Sequence, residues 1–355
     1  MVRQPFIAIA LILAVVSSVS AQTPWYPCPV EVWDPPFDMD SPRTKVEYTP
    51  LEKASKKWDI HVFFPHMKDV YWLAVNYGVA DEAMRLGVRM SLHEAGGYEN
   101  LDTQIAQIRD VIDKKPDGII LAAISFTGLD SIVSEIRAAG IPLIDVVNGV
   151  SSKELSAKCL VSYGDMGFLA GQYLAARHPE GSPPVKAAWF PGPEGAGWVQ
   201  DGDAGFKKAL EGSAVRIVDT RFGDTGKATQ RKLLGESLDT HPDIDYIVGT
   251  SVTAEAAPRI LRRRKLADTV KILSYYLSPG VYQGIKRGQI LAAPVDMAVL
   301  QGRIAVDQVV RILDGETYIK HVGPTIEVID RDNVDAFDTS RGLAPGGFRA
   351  TYTVN

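Results

Sequence analysis

The stretch KDVYWLAVNYG, residues 68–78, puts a carboxylate, Asp69, beside two large rings, Tyr71 and Trp72, where an apolar strand gives way to a helix. A helix built only to pack would carry its rings at core spacing and open on small polar residues. The same combination recurs down the chain. Tyr98 follows two glycines in HEAGGYEN, and Tyr163 and Asp165 lie in VSYGDMG. Glu194 and Trp198 lie in PGPEGAGW, Tyr275 and Tyr276 end an apolar run, and Asp296 closes another. Trp and Tyr faces attract cations through the ring quadrupole by about 0.5–2 kcal/mol each, depending on desolvation. Rings around one point with a carboxylate beside them suit an alkylammonium or methyl-rich ligand. A sugar cleft would need more Asn, Asp and Arg for the hydroxyls, and an amino-acid cleft would need donors for a carboxylate. Taken singly, each ring is as well suited to capping a core, and Asp69 and Glu194 are as well suited to capping the helices they precede. The reading rests on recurrence at successive strand ends. Only Gly96-Gly97 carries a backbone argument, because the pair permits positive φ and close approach.

Catalytic signatures are lacking. The chain has no G-x-S-x-G elbow, no H-E-x-x-H and no P-loop lysine. GGY and PGPEGAG are glycine-rich but are not G-x-G-x-x-G. The six histidines are scattered, and the expectation is a binding protein without cofactor or metal rather than an enzyme.

The elements that must position these residues form a regular series. Strands are expected at Trp58 to Pro65, Val88 to Ala95, Gly118 to Ile124 and Ile141 to Asn148. Between them lie helices at Tyr71 to Leu86, Asn100 to Lys114 and Thr127 to Ala139. Short continuous apolar strands alternating with amphipathic helices mean parallel sheet covered on both faces. The series restarts at Cys159 to Tyr163, with helix Met166 to Arg177 and strand Val185 to Gly192, and runs on through Val270 to Leu277, QILAAPVD and a helix at Val299 to Leu313. The predicted fold class is α/β, two doubly wound parallel-sheet lobes with a ligand cleft between them, where the carboxyl ends of the strands meet. The expected division is a signal peptide at 1–21, an irregular arm at 22–55, a first lobe from 56–161 plus 294–330, a second lobe at 162–293 and a tail at 331–355.

Composition agrees with an exported globular protein. Of 355 residues 46% are hydrophobic and 23% charged, so a core is affordable and disorder is not expected. Residues 1–21 read as a cleaved secretory signal, with Arg3, an apolar run from Ile7 to Val16, and Val19-Ser20-Ala21 before a mature start near Gln22. Arg3 is the only charge in that segment, so its removal takes the net charge from -5 to -6. ILRRRK (260–265) is a local basic cluster, read as a solvated helix face, and nothing points to nucleic acid. Cys28 and Cys159 are read as separate thiols in preference to a bridge.

From Trp58 onward the chain resembles the type I periplasmic binding proteins, the superfamily of the ribose-binding proteins, and within it the TorT-type periplasmic sensors of trimethylamine N-oxide. The resembling stretches are KDVYWLAVNYG (68–78), EAGGY (94–98), FPGPEGAG (190–197), VRIVD (215–219), HPDIDYIVGT (241–250), LSYYLSPGVYQGIKRG (273–288) and LAPGGFR (343–349), in the same order; the N-terminal arm is not matched. The resemblance implies a ligand caged by rings with a nearby carboxylate, here Asp69, Tyr71, Trp72, Tyr98 and Tyr276. It implies Tyr163 where the family pattern has Trp, and Trp198 as an added ring in a loop that is otherwise small. It also implies periplasmic location and a partner, the periplasmic sensor domain of a TorS-like membrane hybrid histidine kinase, with control of trimethylamine N-oxide respiration. The competing expectation on the same fold is the solute-binding component of an ABC importer for a sugar or osmolyte.

Overall fold

The computed structural model describes residues 24–355, so the signal peptide expected at 1–21 lies outside the described residues. The first lobe begins with two strands, β1 (Cys28–Trp33) and β2 (Arg43–Tyr48). Then come β3 (Asp59–Phe64), α1 (Val70–Leu86), β4 (Arg89–Glu94), α2 (Leu101–Ile112), β5 (Gly118–Leu121), α3 (Asp130–Ala138), β6 (Leu143–Val146) and β7 (Ala157–Cys159). The second lobe runs α4 (Tyr163–Ala175), β8 (Val185–Phe190), α5 (Gly197–Ala209), β9 (Val215–Thr220), α6 (Lys227–Thr240), β10 (Tyr246–Gly249), α7 (Ser251–Arg264), β11 (Lys271–Ser274) and α8 (Pro279–Lys286). Strand β12 (Ala292–Val295) leads back to α9 (Ala298–Asp314), followed by β13 (His321–Pro324), β14 (Glu327–Asp330) and a terminal β15 (Thr353–Val354).

The first lobe's sheet has the order β15-β4-β3-β5-β6-β7-β13-β1-β2, and the second lobe's has the order β11-β10-β8-β9. In each lobe the first parallel strand, β3 or β8, lies between the second and the third. Strand order reverses there, and the carboxyl ends open a crevice at such a switch point. The expected two-lobed, doubly wound α/β fold is therefore the observed one.

Three segments differ from expectation. The arm expected to be irregular is an antiparallel ribbon: β1 pairs with β2 along its full length and with β13 on its other side. Its apolar pattern is hidden because β2 is an edge strand whose first five residues, RTKVE, are all exposed. Charges on an edge discourage pairing with another chain and erase the alternation that marks a strand. The strand expected to run to Tyr163 stops at Cys159, and Tyr163 instead opens α4, with Ser162 Oγ accepting from the Asp165 backbone N–H at 3.1 Å. Finally, β14, expected in the first lobe, pairs with β12, which packs beside α4 and β11 of the second.

Two helix contacts fix the walls of the crevice. Helix α1 packs on α9, and α4 packs on α5 through facing glycines. A Cβ at Gly167 would stand 2.0 Å from the Gly202 carbonyl oxygen, so only glycine permits this approach. The contact brings Tyr163, first residue of α4, close to Trp198, second residue of α5.

Candidate functional site

Each predicted residue is delivered by a local rule. Asp69 is the N-cap of α1: its Oδ1 accepts from the backbone N–H groups of Tyr71 (3.0 Å) and Trp72 (3.2 Å). Capping thus throws the next two rings into the crevice from the first turn. Gly96 has φ 88°, the left-handed turn that lets Tyr98 follow β4 toward the second lobe. Ser274 Oγ donates to the Tyr276 carbonyl oxygen at 2.7 Å and so shapes the corner that presents Tyr276.

All seven residues, Asp69, Tyr71, Trp72, Tyr98, Tyr163, Trp198 and Tyr276, line one cavity between the lobes. Val147, Asn148, Thr225 and Asp296 complete the lining, and all but Tyr98 are buried. The rings form a closed circuit of contacts. Trp72 meets Tyr71 (5.6 Å between centroids), and Tyr71 meets Tyr276 (5.2 Å). Tyr276 meets Trp198 (6.0 Å), Trp198 meets Tyr98 (6.4 Å), and His66 closes the circuit between Tyr98 (5.5 Å) and Trp72 (6.2 Å). Tyr163 joins through Trp198 at 6.3 Å. The centre of a water molecule has about 20 Å³ in which to move. Adding a water's ~1.4 Å radius makes this a hollow roughly 3 Å in radius.

Two carboxylates face this hollow and no Lys or Arg lines it. Asp69 Oδ2 accepts from Thr225 Oγ1 at 3.0 Å. Asp296 Oδ2 accepts from Tyr71 (2.5 Å), Tyr163 (3.3 Å) and Gln301 Nε2 (3.0 Å). Burial pushes the pKa of both carboxylic acids up, and the hydrogen bonds they accept oppose that shift. Burial likewise drives the phenols of Tyr71, Tyr163 and Tyr276 well above their ordinary value, which keeps them neutral donors. On the opposite wall Trp198 Nε1 donates to the Tyr98 hydroxyl (3.2 Å), and Asn148 Nδ2 donates to the same oxygen (3.0 Å) and to the Ala123 carbonyl (2.7 Å).

The remaining corner residues play other parts. Tyr275 supports the wall from behind: its hydroxyl donates to the Trp198 (3.1 Å) and Tyr163 (3.3 Å) carbonyl oxygens, and its ring stacks on Trp198. Asp165 pairs with Arg43 on the ribbon, and Glu194 is exposed; neither lines the cavity. Of the lining residues outside the predicted set, Asp296 carried a signal as a carboxylate ending an apolar strand. Asn148 carried a weaker one of the same kind, and Val147 and Thr225 none. Val147 sits at φ 64°, a strained geometry for a β-branched residue, at the cavity wall.

No helix among the described residues is long and apolar enough to cross a membrane, and no group of three metal-ligating side chains occurs among them. A model of the periplasmic binding protein domain matches residues 60–317. The chain is 38% identical to the periplasmic protein TorT of Escherichia coli K12 over 304 residues, 86% of each chain. An ABC transporter solute-binding protein from Bradyrhizobium sp. BTAi1, solved with bound bis-tris, superposes with a TM-score of 0.81 at 51% identity, over 94% of this chain and all of that one. TorT in its complex with the TorS sensor domain, solved in the presence of trimethylamine N-oxide, superposes with a TM-score of 0.74 at 34% identity, over 82% of this chain and 99% of that one.

Proposed function

Because the chain belongs to the periplasmic binding proteins, and among them to the TorT type, we propose that it is a periplasmic sensor of trimethylamine N-oxide or a related methylated amine that signals through the periplasmic domain of a membrane histidine kinase. The observation that carries this reading is the closed circuit of rings around a hollow that holds two carboxylates and no cationic side chain. Methyl groups on a positive nitrogen fit ring faces. The oxide of an N-oxide needs a donor on leaving water, and the phenol of Tyr276 and the indole of Trp72 line the same hollow. A radius of roughly 3 Å suits one nitrogen with four small substituents better than a pyranose with its hydroxyls. The chain does no chemistry on its ligand in this reading. Ligand biases the closure of the lobes, and closure alters contact with the kinase. Residues 1–21 direct export and are removed.

TorT is known in complex with the TorS sensor domain both without ligand and with trimethylamine N-oxide. The corresponding test here is light scattering on mixtures of the mature chain with the periplasmic domain of its histidine kinase, with and without the N-oxide. A complex supports the sensor reading. No complex under either condition, together with binding to a permease, would replace it with the importer reading. That second reading draws on the 51% identical solute-binding protein, whose bis-tris is itself a tertiary amine. The importer reading, for a sugar or osmolyte, shares the fold and the cavity and differs in the ligand and the partner.

A further inference from the structure

Behind the carboxylate of Asp69 lies a hydrogen-bonded chain that passes from the first lobe to the second and back. The Lys68 backbone N–H donates to His66 Nδ1 at 3.2 Å, which leaves the imidazole proton on Nε2. His66 Nε2 faces Thr225 Oγ1 at 3.1 Å, and Thr225 Oγ1 in turn donates to Asp69 Oδ2 at 3.0 Å. Every donor in this sequence meets an acceptor, and the order works only with His66 neutral. His66 and Asp69 both follow β3 in the first lobe, while Thr225 stands just before α6 in the second. All three are buried. The hydroxyl between them is thus supplied by the opposite lobe, and opening the cleft withdraws it.

We propose that Thr225 is a positioning residue of the ligand site, whose hydroxyl couples closure of the lobes to the orientation of the Asp69 carboxylate and to the neutral state of His66. The proposal rests on the ligand reading above only for what fills the cavity. With the lobes apart, Asp69 keeps the two backbone N–H groups that fix Oδ1, but Oδ2 turns to water. With the lobes shut, Thr225 aims Oδ2 and completes the carboxylate's hydrogen bonding, so a ligand meets a fixed anion rather than a solvated one. A second contact reinforces the bridge at the cleft mouth, where Lys68 Nζ lies 3.4 Å from Glu99 of its own lobe and 3.4 Å from Asp224 of the other.

The charged groups that bear on His66 are Asp69, Asp224, Lys68 and Glu94. Burial lowers its pKa below the ordinary 6.5, and the three carboxylates pull the other way. Opening the cleft hydrates the imidazole and so removes the burial that lowers its pKa. Closure therefore excludes a proton from His66: it is favoured above about pH 6.5 and weakened as pH falls below it. Asp69 has the opposite sign, since burial raises its pKa and proton uptake there favours closure in acid.

The test compares Thr225→Val, which keeps the shape and loses the hydroxyl, with Thr225→Ser, which keeps the hydroxyl. Closure is read in each by small-angle scattering without and with trimethylamine N-oxide, and affinity by calorimetry between pH 7.5 and 5.5. Losing a buried hydrogen-bonded hydroxyl should open the lobes and weaken binding by about tenfold or more in Thr225→Val. Thr225→Ser should stay near wild type. The Asp69 contribution is common to wild type and to His66→Gln, whose amide can still donate to Thr225, so wild-type affinity relative to that of His66→Gln should fall toward pH 5.5. Thr225→Val that closes and binds like wild type, or a pH profile unchanged in His66→Gln, overturns the proposal. If the N-oxide binds none of the proteins, the ligand reading fails by itself, and the scattering comparison of ligand-free Thr225→Val with wild type still decides the role of Thr225.

Discussion

The phenol of Tyr71 donates to Oδ2 of Asp296 at 2.5 Å, joining the first turn of α1 to the start of α9 across 225 residues of sequence. Tyr163 reaches the same oxygen from the first turn of α4. One carboxylate thus ties the first turns of α1 and α4 together and adds a second carboxylate to the cavity beside Asp69.

This arrangement separates a cationic from a neutral ligand. Asp296→Asn keeps an acceptor for Tyr71 and removes the charge. Choline, which carries a full charge, should lose about tenfold in affinity, while the net-neutral N-oxide should change by no more than about threefold. Parallel calorimetric titrations of the variant check this. Equal losses for both ligands would mean that Asp296 acts only as a structural tie.

The stability of the ribbon should depend on pH. His321 on β13 stacks on Trp33 of β1 at 4.3 Å, and its Nδ1 accepts from the Phe37 backbone N–H at 3.2 Å. Burial pushes its pKa down to about 3 from the ordinary 6.5. A depressed histidine contributes stability that is present above 6.5 and is lost as pH falls toward 3, by at most about 1.4 kcal/mol per pH unit. The melting temperature of the wild type should therefore fall between pH 6.5 and 4 more steeply than that of His321→Phe. Parallel curves would remove His321 from the account.

The α4–α5 contact predicts a position where alanine is harmful within a helix. In an exposed helix Gly→Ala gains up to about 1 kcal/mol. At Gly167 the new methyl would run into the Gly202 carbonyl, whose backbone cannot swing aside. Gly167→Ala should cost about 2 kcal/mol or more by chemical denaturation. By separating Tyr163 from Trp198 it should also weaken ligand binding.

Cys28 and Cys159 are both free and buried, and burial raises the pKa of each thiol. The folded protein should show no reactive thiol to an aromatic disulfide reagent at neutral pH, and two after denaturation without reductant. No thiols after denaturation would establish a bridge and contradict the structure.

The fold was legible wherever the hydrophobic period was clean. The runs from Trp58 to Leu277 alternate strand and helix with little ambiguity, because strands buried on both faces read as continuous apolar segments. The ribbon at 28–48 was not legible, since an edge strand with five exposed residues has no apolar face to show. The rings that line the cavity were legible as a set because they recur at successive strand ends, and topology carries those ends to one place. Thr225 was not: a threonine before a helix is an ordinary residue, and its part depends on the other lobe coming within hydrogen-bond reach. Asp69 had two readings in the sequence, cap or site; it caps α1 and also lines the cavity. One carboxylate oxygen caps α1 while the other faces Thr225 at the cavity.

The most direct test of the central claim is a calorimetric titration of the mature protein, from Gln22, with trimethylamine N-oxide beside betaine, choline and ribose. The account predicts binding of the N-oxide or another of the methylated amines, no binding of ribose, and an affinity reduced by about tenfold or more in Trp72→Ala once a ring that faces the nitrogen is gone. Ribose bound while every methylated amine is refused would contradict it, and would make the aromatic circuit a sugar-stacking wall.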